Sequence, residues 1–327
     1  MGDEMNLWKE DGENLASETL SEEVHEQATE EEVYGQFLDE ANEYHHGQGE
    51  TMSYTKISRI TKRGKSHDED EPSQKASYKL ANGSFKVTEY LNTIDIPRKT
   101  MILSQHDLPP AIRKILKKDY LEVMEGSRYA RFAEARFKAV LTGPTRTDIS
   151  FSTNGNVTPG TISASITLAT FRRCSSFLKK KLVPKKGSYF ISIGSIDFNE
   201  ALYDDLEEVT KYTEPGQRLT SEIGKIYDTR CVEDNFHLAN DLGGADSGRG
   251  EAFMFGDEAV VEGFAQGLEI TAKRQGSAGR ILEISWYCLG GNAKMWDVIF
   301  DEKREPDAPG YQLGFERILH INPPQAA

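Results

Sequence analysis

Residues 182–235 read LVPKKGSYFISIGSIDFNEALYDDLEEVTKYTEPGQRLTSEIGKIYDTRCVEDN. After Pro184 the pattern is that of a strand, Ser188-Tyr189-Phe190-Ile191-Ser192-Ile193. A short helix is predicted around Ala201–Tyr212, carrying the paired acids Asp204-Asp205 and Glu207-Glu208, and it stops at Pro215-Gly216, where the backbone cannot continue helically. Further strands are predicted at 267–272, 281–289, 295–300 and 315–321. Helices come first, strands follow, and one more helix lies between them. That order gives α+β rather than a wound parallel sheet.

The longest helical signal lies upstream, from Asp107 to Leu141. Asp107 is placed to cap it, with Pro109 and Pro110 in the first turn, where a missing N–H costs little. Ile112, Leu116, Tyr120, Val123 and Met124 recur at three- and four-residue spacing, and Tyr129, Phe132, Ala133, Phe137 and Val140 resume it. Gly126 sits near the middle and costs about 1 kcal/mol there, so a bend is predicted at that point. A second helix is predicted from Thr158 to Lys181, with Thr158 as cap, Pro159 in the first turn, and Ile162, Ile166, Ala169 and Phe171 facing inward. Lys179, Lys180 and Lys181 fall at its end, where cations favour the negative pole of the helix dipole.

Before these helices the chain looks extended. Tyr78 and Leu80 alternate with polar residues, Asn82-Gly83 suits a type I′ turn, and Phe85 and Val87 alternate on the return, which predicts a hairpin. A two-stranded ribbon is marginal alone and must lie on another surface. Tyr78, Leu80, Phe85 and Val87 are therefore candidates for contact with another subunit. Residues 52–71 switch sign, with Lys56, Arg59, Lys62, Arg63 and Lys65 followed by Asp68, Glu69, Asp70 and Glu71. Two readings stand for that stretch: an arm that contacts nucleic acid or an acidic neighbour, and a self-neutralising solvated linker. Lys56, Arg59, Lys62 and Arg63 join the contact candidates on the first reading.

Residues 1–50 carry sixteen acids against one base, Lys9, for a net charge of −15. The whole chain totals −14, so residues 51–327 hold 37 acids and 38 bases and are nearly neutral. An acidic tail with few large apolar residues (Val33, Phe37, Leu38, Tyr44) cannot offset its own ordering entropy, and order there requires a support outside the tail. Any dense polyanion would repel it, which predicts a location away from one, on the outer surface or between subunits; a scaffold-like role is the alternative.

Chemical motifs are absent from the sequence. The seven histidines show no HExxH or other ligand spacing, and Cys174, Cys231 and Cys288 form no CxxC pair, so they read as small buried apolar residues. The glycines at 243, 244, 248 and 250 precede no GK[ST], and neither GxGxxG nor GxSxG occurs. No catalytic, cofactor-binding or metal-binding residue is nominated, and no cofactor is expected. No apolar run approaches the roughly 18–20 residues that span a bilayer, and no secretory signal pattern opens the chain.

Two stretches resemble the major capsid proteins of tailed bacteriophages, in the podophage branch of the Hong Kong 97-type shell fold. In 182–235 the carriers are Gly187-Ser188-Tyr189, Asp204-Asp205, Tyr212 to Pro215, Glu222-Ile223-Gly224-Lys225-Ile226 and Arg230-Cys231-Val232-Glu233. The second stretch is FMFGDEAVVEGFAQGLEITAKRQGSAGRILEISWYCL (253–289), and the closing YQLGFERILHIN is similar to a final return strand. Gly194-Ser195 stands where many relatives have His-Pro, and the acidic tail has no counterpart. The resemblance implies an N-terminal arm (53–75) after an acidic tail (1–52), a hairpin tongue region (76–106) and peripheral-domain helices with a long spine (107–182). An axial domain (183–290) and return strands (291–327) complete it. It further implies a non-enzymatic homo-oligomer of hexameric and pentameric capsomers, enclosing double-stranded DNA in a virion assembled in a bacterial cytoplasm. Decoration, scaffolding and portal proteins would be further partners, with no membrane. Two alternatives remain open at this point, an encapsulin-like cellular compartment and a soluble enzyme without a visible motif.

Overall fold

The computed structural model describes residues 32–41, 49–57, 80–104, 107–153, 155, 165–208, 218–238, 250–296 and 316–323, with scattered positions between 64 and 78. In chain order the elements are β1 (Asp39–Glu40), β2 (Thr51–Ile57), β3 (Leu80–Lys86), β4 (Thr88–Pro97), α1 (Arg98–Leu103) and α2 (Leu108–Ala133). They continue with β5 (Phe137–Leu141), β6 (Ile149–Ser152), α3 (Leu168–Lys180), β7 (Phe190–Gly194), α4 (Ile196–Glu200), β8 (Glu222–Ile226) and β9 (Thr229–Glu233). β10 (Ala252–Phe255), β11 (Val260–Gln275), β12 (Ile281–Lys294) and β13 (Ile318–Ile321) follow.

A seven-stranded mixed sheet, ordered β6-β5-β13-β10-β7-β9-β8, forms one core. Its central strand β10, Ala252-Phe253-Met254-Phe255, is buried at every position, which a strand covered on both faces requires. Ala252 and Met254 point to the side where α3 lays Phe171, Cys174 and Leu178 and α4 lays Phe198. Phe253 and Phe255 point to the other side, where they meet Phe132 from the end of α2 together with Val33, Tyr34 and Phe37.

A second sheet, β1-β11-β12-β4, carries the amino-terminal part of α2. Leu116, Ile112 and Tyr120 of the helix pack on Ile96, Ile284, Trp286 and Cys288. The Trp286 indole meets the Tyr120 ring edge-on at 5.5 Å, and its Nε1 donates to Asp119 Oδ2 at 2.6 Å. At about 1.5 Å per residue the helix is roughly 39 Å long, long enough to serve both sheets. β2 and β3 form a separate ribbon, in register from Thr51↔Lys86 to Ile57↔Leu80.

Several sequence expectations give way here. The Asn82-Gly83 pair lies inside β3, opposite Thr55 and Tyr54, and is no turn. A Cβ at Gly83 would fall within the Tyr54 ring, so the glycine serves close cross-strand approach rather than a positive φ. The ribbon is β2 with β3, so residues 53–57 of the expected arm form part of its first strand. The long helix ends at Ala133, and the apolar spacing that continued through Phe137 and Val140 belongs to buried β5. Asp107 occupies the N-cap position of α2 without a side-chain cap hydrogen bond. α3 starts at Leu168, capped by Thr167 in a reciprocal box with Thr170, and Ala169 is exposed; Thr158, Pro159 and Ile162 lie outside the described residues. The helix expected at 201–212 is replaced by α4 and a 3-10 turn at Tyr203–Asp205. β5 and β6 of the 107–182 block join the sheet of β7–β10, while β11 and β12 pair with β4 of the tongue region.

α2 runs unbroken through Gly126. A methyl group there would meet only His237 Nε2, at 3.7 Å, an ordinary contact. Gly126→Ala is therefore expected to stabilise the subunit by about 1 kcal/mol, read as a higher urea midpoint. A lower midpoint would show that the helix needs this glycine.

Candidate interaction surfaces

The ribbon divides into a docked base and a projecting end. Met52, Tyr54, Phe85 and Val87 are buried within their own chain against Val261, Ala265, Leu289 and Ala293, and the Tyr54 hydroxyl donates to Lys294 O at 2.9 Å. On the far end Ile57, Tyr78 and Leu80 are 61%, 61% and 60% exposed. Ile57 and Leu80 are direct cross-strand partners, so they share one face and form an apolar pair in water. Of the four apolar contact candidates, Phe85 and Val87 are used internally, and Tyr78 and Leu80 remain open to a neighbour. Lys56 is half-buried, its Nζ 5.1 Å from the Tyr54 ring centroid and 5.8 Å from that of Trp296. Arg59, Lys62 and Arg63 lie outside the described residues.

The second surface is the seat of residues 32–41, the inner end of the acidic segment. Buried Glu125 on α2 accepts the backbone N–H groups of Val33 (2.9 Å), Tyr34 (2.8 Å) and Gly35 (3.2 Å). Consecutive N–H groups converging on one carboxylate make a strong anion seat. Tyr34 fills an aromatic pocket of Tyr129, Phe132, His237 and Phe253, and its hydroxyl donates to Asp234 Oδ2 at 2.7 Å. Phe37 meets Phe255, and β1 then pairs in parallel with β11. Val33 and Phe37, too sparse by sequence to hold a structure alone, are buried against the body, and Tyr34 enters beside them.

One guanidinium organises this seat. Arg128 donates to Glu262 through Nε (3.0 Å) and Nη2 (2.8 Å), to Glu125 (2.7 Å) and to Glu32 (2.5 Å). Its side chain is 7% exposed, and those of Glu125 and Glu262 are 2% and 9% exposed. Hydrogen bonds to Glu262 and Glu125 outweigh its desolvation and hold its pKa above the ordinary arginine value. Burial, aided by Asp234, likewise pushes the Tyr34 hydroxyl well up, so both groups stay protonated.

Among the described residues no group of three or more His, Cys, Asp or Glu side chains is arranged to hold a metal ion. Cys174, Cys231 and Cys288 are free and buried, and burial pushes the first two thiols up to about 12, so none is a poised nucleophile. His320 donates to or accepts from Glu251 at 2.5 Å within the core, and burial lowers its pKa. No helix among the described residues is long and apolar enough to cross a membrane.

No family model matches the chain, and no curated protein matches it. Solved structures do. The capsid of Ralstonia phage GP4 aligns with a TM-score of 0.65 at 13% identity, over 94% of each chain. The head structure of Helicobacter pylori bacteriophage KHP40 aligns at 0.60 and 10% identity, over 97% of this chain and 96% of that one. The capsid of cyanophage Pam1 aligns at 0.58 and 12% identity, over 95% and 97%. The fold is a phage capsid fold.

Within this capsid fold, of the Hong Kong 97 type, α2 is the spine and β2–β3 the projecting ribbon. The α+β class and the fold expected from 182–235 both stand. Glu125 and Arg128 were missed by reading the sequence. Their signal was present in Met124-Glu125-Gly126-Ser127-Arg128-Tyr129, where an acid and a base three residues apart share the helix stripe that turns inward. On a capsid spine, charges on that stripe need partners from elsewhere in the chain, and here they come from residues 32–35 and β11.

Proposed function

We propose that this chain is the major capsid protein of a tailed bacteriophage. It assembles into an icosahedral shell around double-stranded DNA and performs no catalysis. The observation that carries this reading is the capsid fold over nearly the whole chain, together with a ribbon whose apolar end has no cover among the described residues. A strand pair that projects Ile57 and Leu80 into water is stable only where another surface receives it. Closed symmetry supplies that surface, since each subunit offers the same ribbon and the same receiving face. Hexameric and pentameric capsomers are the arrangement that closes such a set into a shell.

Expression of the full chain followed by velocity sedimentation and negative-stain microscopy tests the proposal. Closed particles of megadalton mass are expected. A protein that remains a small soluble oligomer at high concentration would overturn it.

A further inference from the structure

We infer that the buried His320–Glu251 pair is an acid-sensitive latch, which holds β13 in the seven-stranded sheet at neutral pH and loosens it in mild acid. The two residues come from different elements. His320 lies in β13, opposite Phe253 of β10 and Lys138 of β5, and Glu251 immediately precedes β10. His320 is 3% exposed and Glu251 is fully buried. The imidazole Nε2 stands 2.5 Å from Glu251 Oε1, and the Tyr129 hydroxyl of α2 bonds the same carboxylate. One side-chain cluster thus ties α2, β10 and β13 together.

The geometry decides where a second proton would go. An ionised carboxylate only accepts, so with Glu251 ionised the imidazole carries its proton on Nε2. A second proton must then sit on Nδ1, which is buried and has no hydrogen-bond partner. Protonation would leave a buried cation whose new N–H has nothing to donate to, beside the Phe253 ring at 4.5 Å. The same histidine in an unfolded chain gives that N–H to water and meets no such cost.

The surrounding charges act in the same sense on balance. Burial outweighs the attraction of Glu251, and Lys138 adds repulsion, so the His320 pKa lies below the ordinary histidine value. Around Phe253 stand Tyr34 and Asp234, bonded to each other at 2.7 Å, and His237, whose Nδ1 is 3.9 Å from Asp234 Oδ2. Burial pushes the Tyr34 and Tyr129 hydroxyls up, the latter to about 12, so neither titrates in mild acid. A histidine whose pKa is lowered by folding contributes fully above its unfolded value, about 6.5, and loses that contribution as the pH falls. Below that point this one site raises the unfolding constant by up to about tenfold per pH unit. β13 pairs with both β5 and β10, so the latch acts on the seam between two parts of the sheet.

The test uses the full chain as unassembled subunits, so its outcome is independent of the capsid reading. Histidine C2 hydrogen–deuterium exchange, read by mass spectrometry, gives the protonation midpoint of His320, expected below about 6.5. Amide protection of residues 318–321, corrected for intrinsic exchange rates, should fall roughly tenfold between about pH 7 and about pH 5.5. His320→Gln keeps a donor for Glu251 but takes up no proton. Its unfolding constant in urea should therefore change roughly tenfold less than that of the parent over the same range. A His320 midpoint at or above about 6.5, or unchanged protection of 318–321, would overturn the inference. So would a folded His320→Gln variant with the full pH dependence of the parent. If that variant fails to fold, the two exchange measurements on the parent chain decide.

Discussion

Arg128→Met is expected to lower subunit stability by about 3–5 kcal/mol, the cost of leaving buried carboxylates without their cation. Glu125 and Glu262 would remain in the core beside the substituted methionine, and Glu32 would lose its partner. Since a domain of ordinary stability has only about 5–15 kcal/mol in total, the variant is expected to lose a large part of its cooperative unfolding. Arg128→Lys should recover only part of the loss, because an ammonium cannot reproduce the paired bonds to Glu262. Urea unfolding of unassembled subunits, followed by tryptophan fluorescence, measures both. A loss below about 1 kcal/mol for Arg128→Met would show that the cluster behaves as a surface ion pair does.

The second large effect lies on assembly rather than on folding. Ile57→Glu combined with Leu80→Glu should leave the subunit within about 0.5 kcal/mol of its original stability, since both side chains are exposed. Particles should nevertheless fail to form, because two charges placed opposite each other on the ribbon end must be desolvated by any receiving surface. Phe85→Ala supplies the contrast. It lies at the docked base, is 7% exposed, and should cost about 3–5 kcal/mol of subunit stability. If the glutamate pair assembles as well as the parent chain, the ribbon end is not an interface. If Phe85→Ala folds with undiminished stability, the base is not docked as described.

The parts of this fold that were legible in the sequence are those whose partners lie nearby along the chain. The strand at Phe190 to Ile193, the α2 core positions Leu116 and Met124, and the buried cysteines all follow from local pattern. Errors arose where a distant partner reassigned a local signal. Asn82-Gly83 has the composition of a turn, but Tyr54 lies across it from a strand joined only through 58–79, and tertiary pairing overrode turn chemistry. Phe137 and Val140 fit the helical period by coincidence, since a strand buried on both faces shows no period of its own. The seat of residues 32–41 was invisible for another reason. Tyr34 and Phe37 enter separate pockets singly, and Glu125 is recognised as an anchor only once backbone N–H groups are seen to converge on it.

The position of β13 bears on the timing of synthesis. Among the described residues this strand is the link between β5 and β10 in the seven-stranded sheet. Until it arrives, β6-β5 and β10-β7-β9-β8 lack the strand that pairs with both β5 and β10. The Phe37–Phe255 side of the core likewise waits for Ile318. About 180 residues separate the end of β5 from the end of β13, and at roughly 5–20 residues per second that gap lasts about 10–40 s on a ribosome. A nascent chain therefore cannot present a finished subunit to its neighbours while translation of this region is still under way. On the capsid reading proposed above, lattice growth is thereby withheld from chains in which β13 is still to be made.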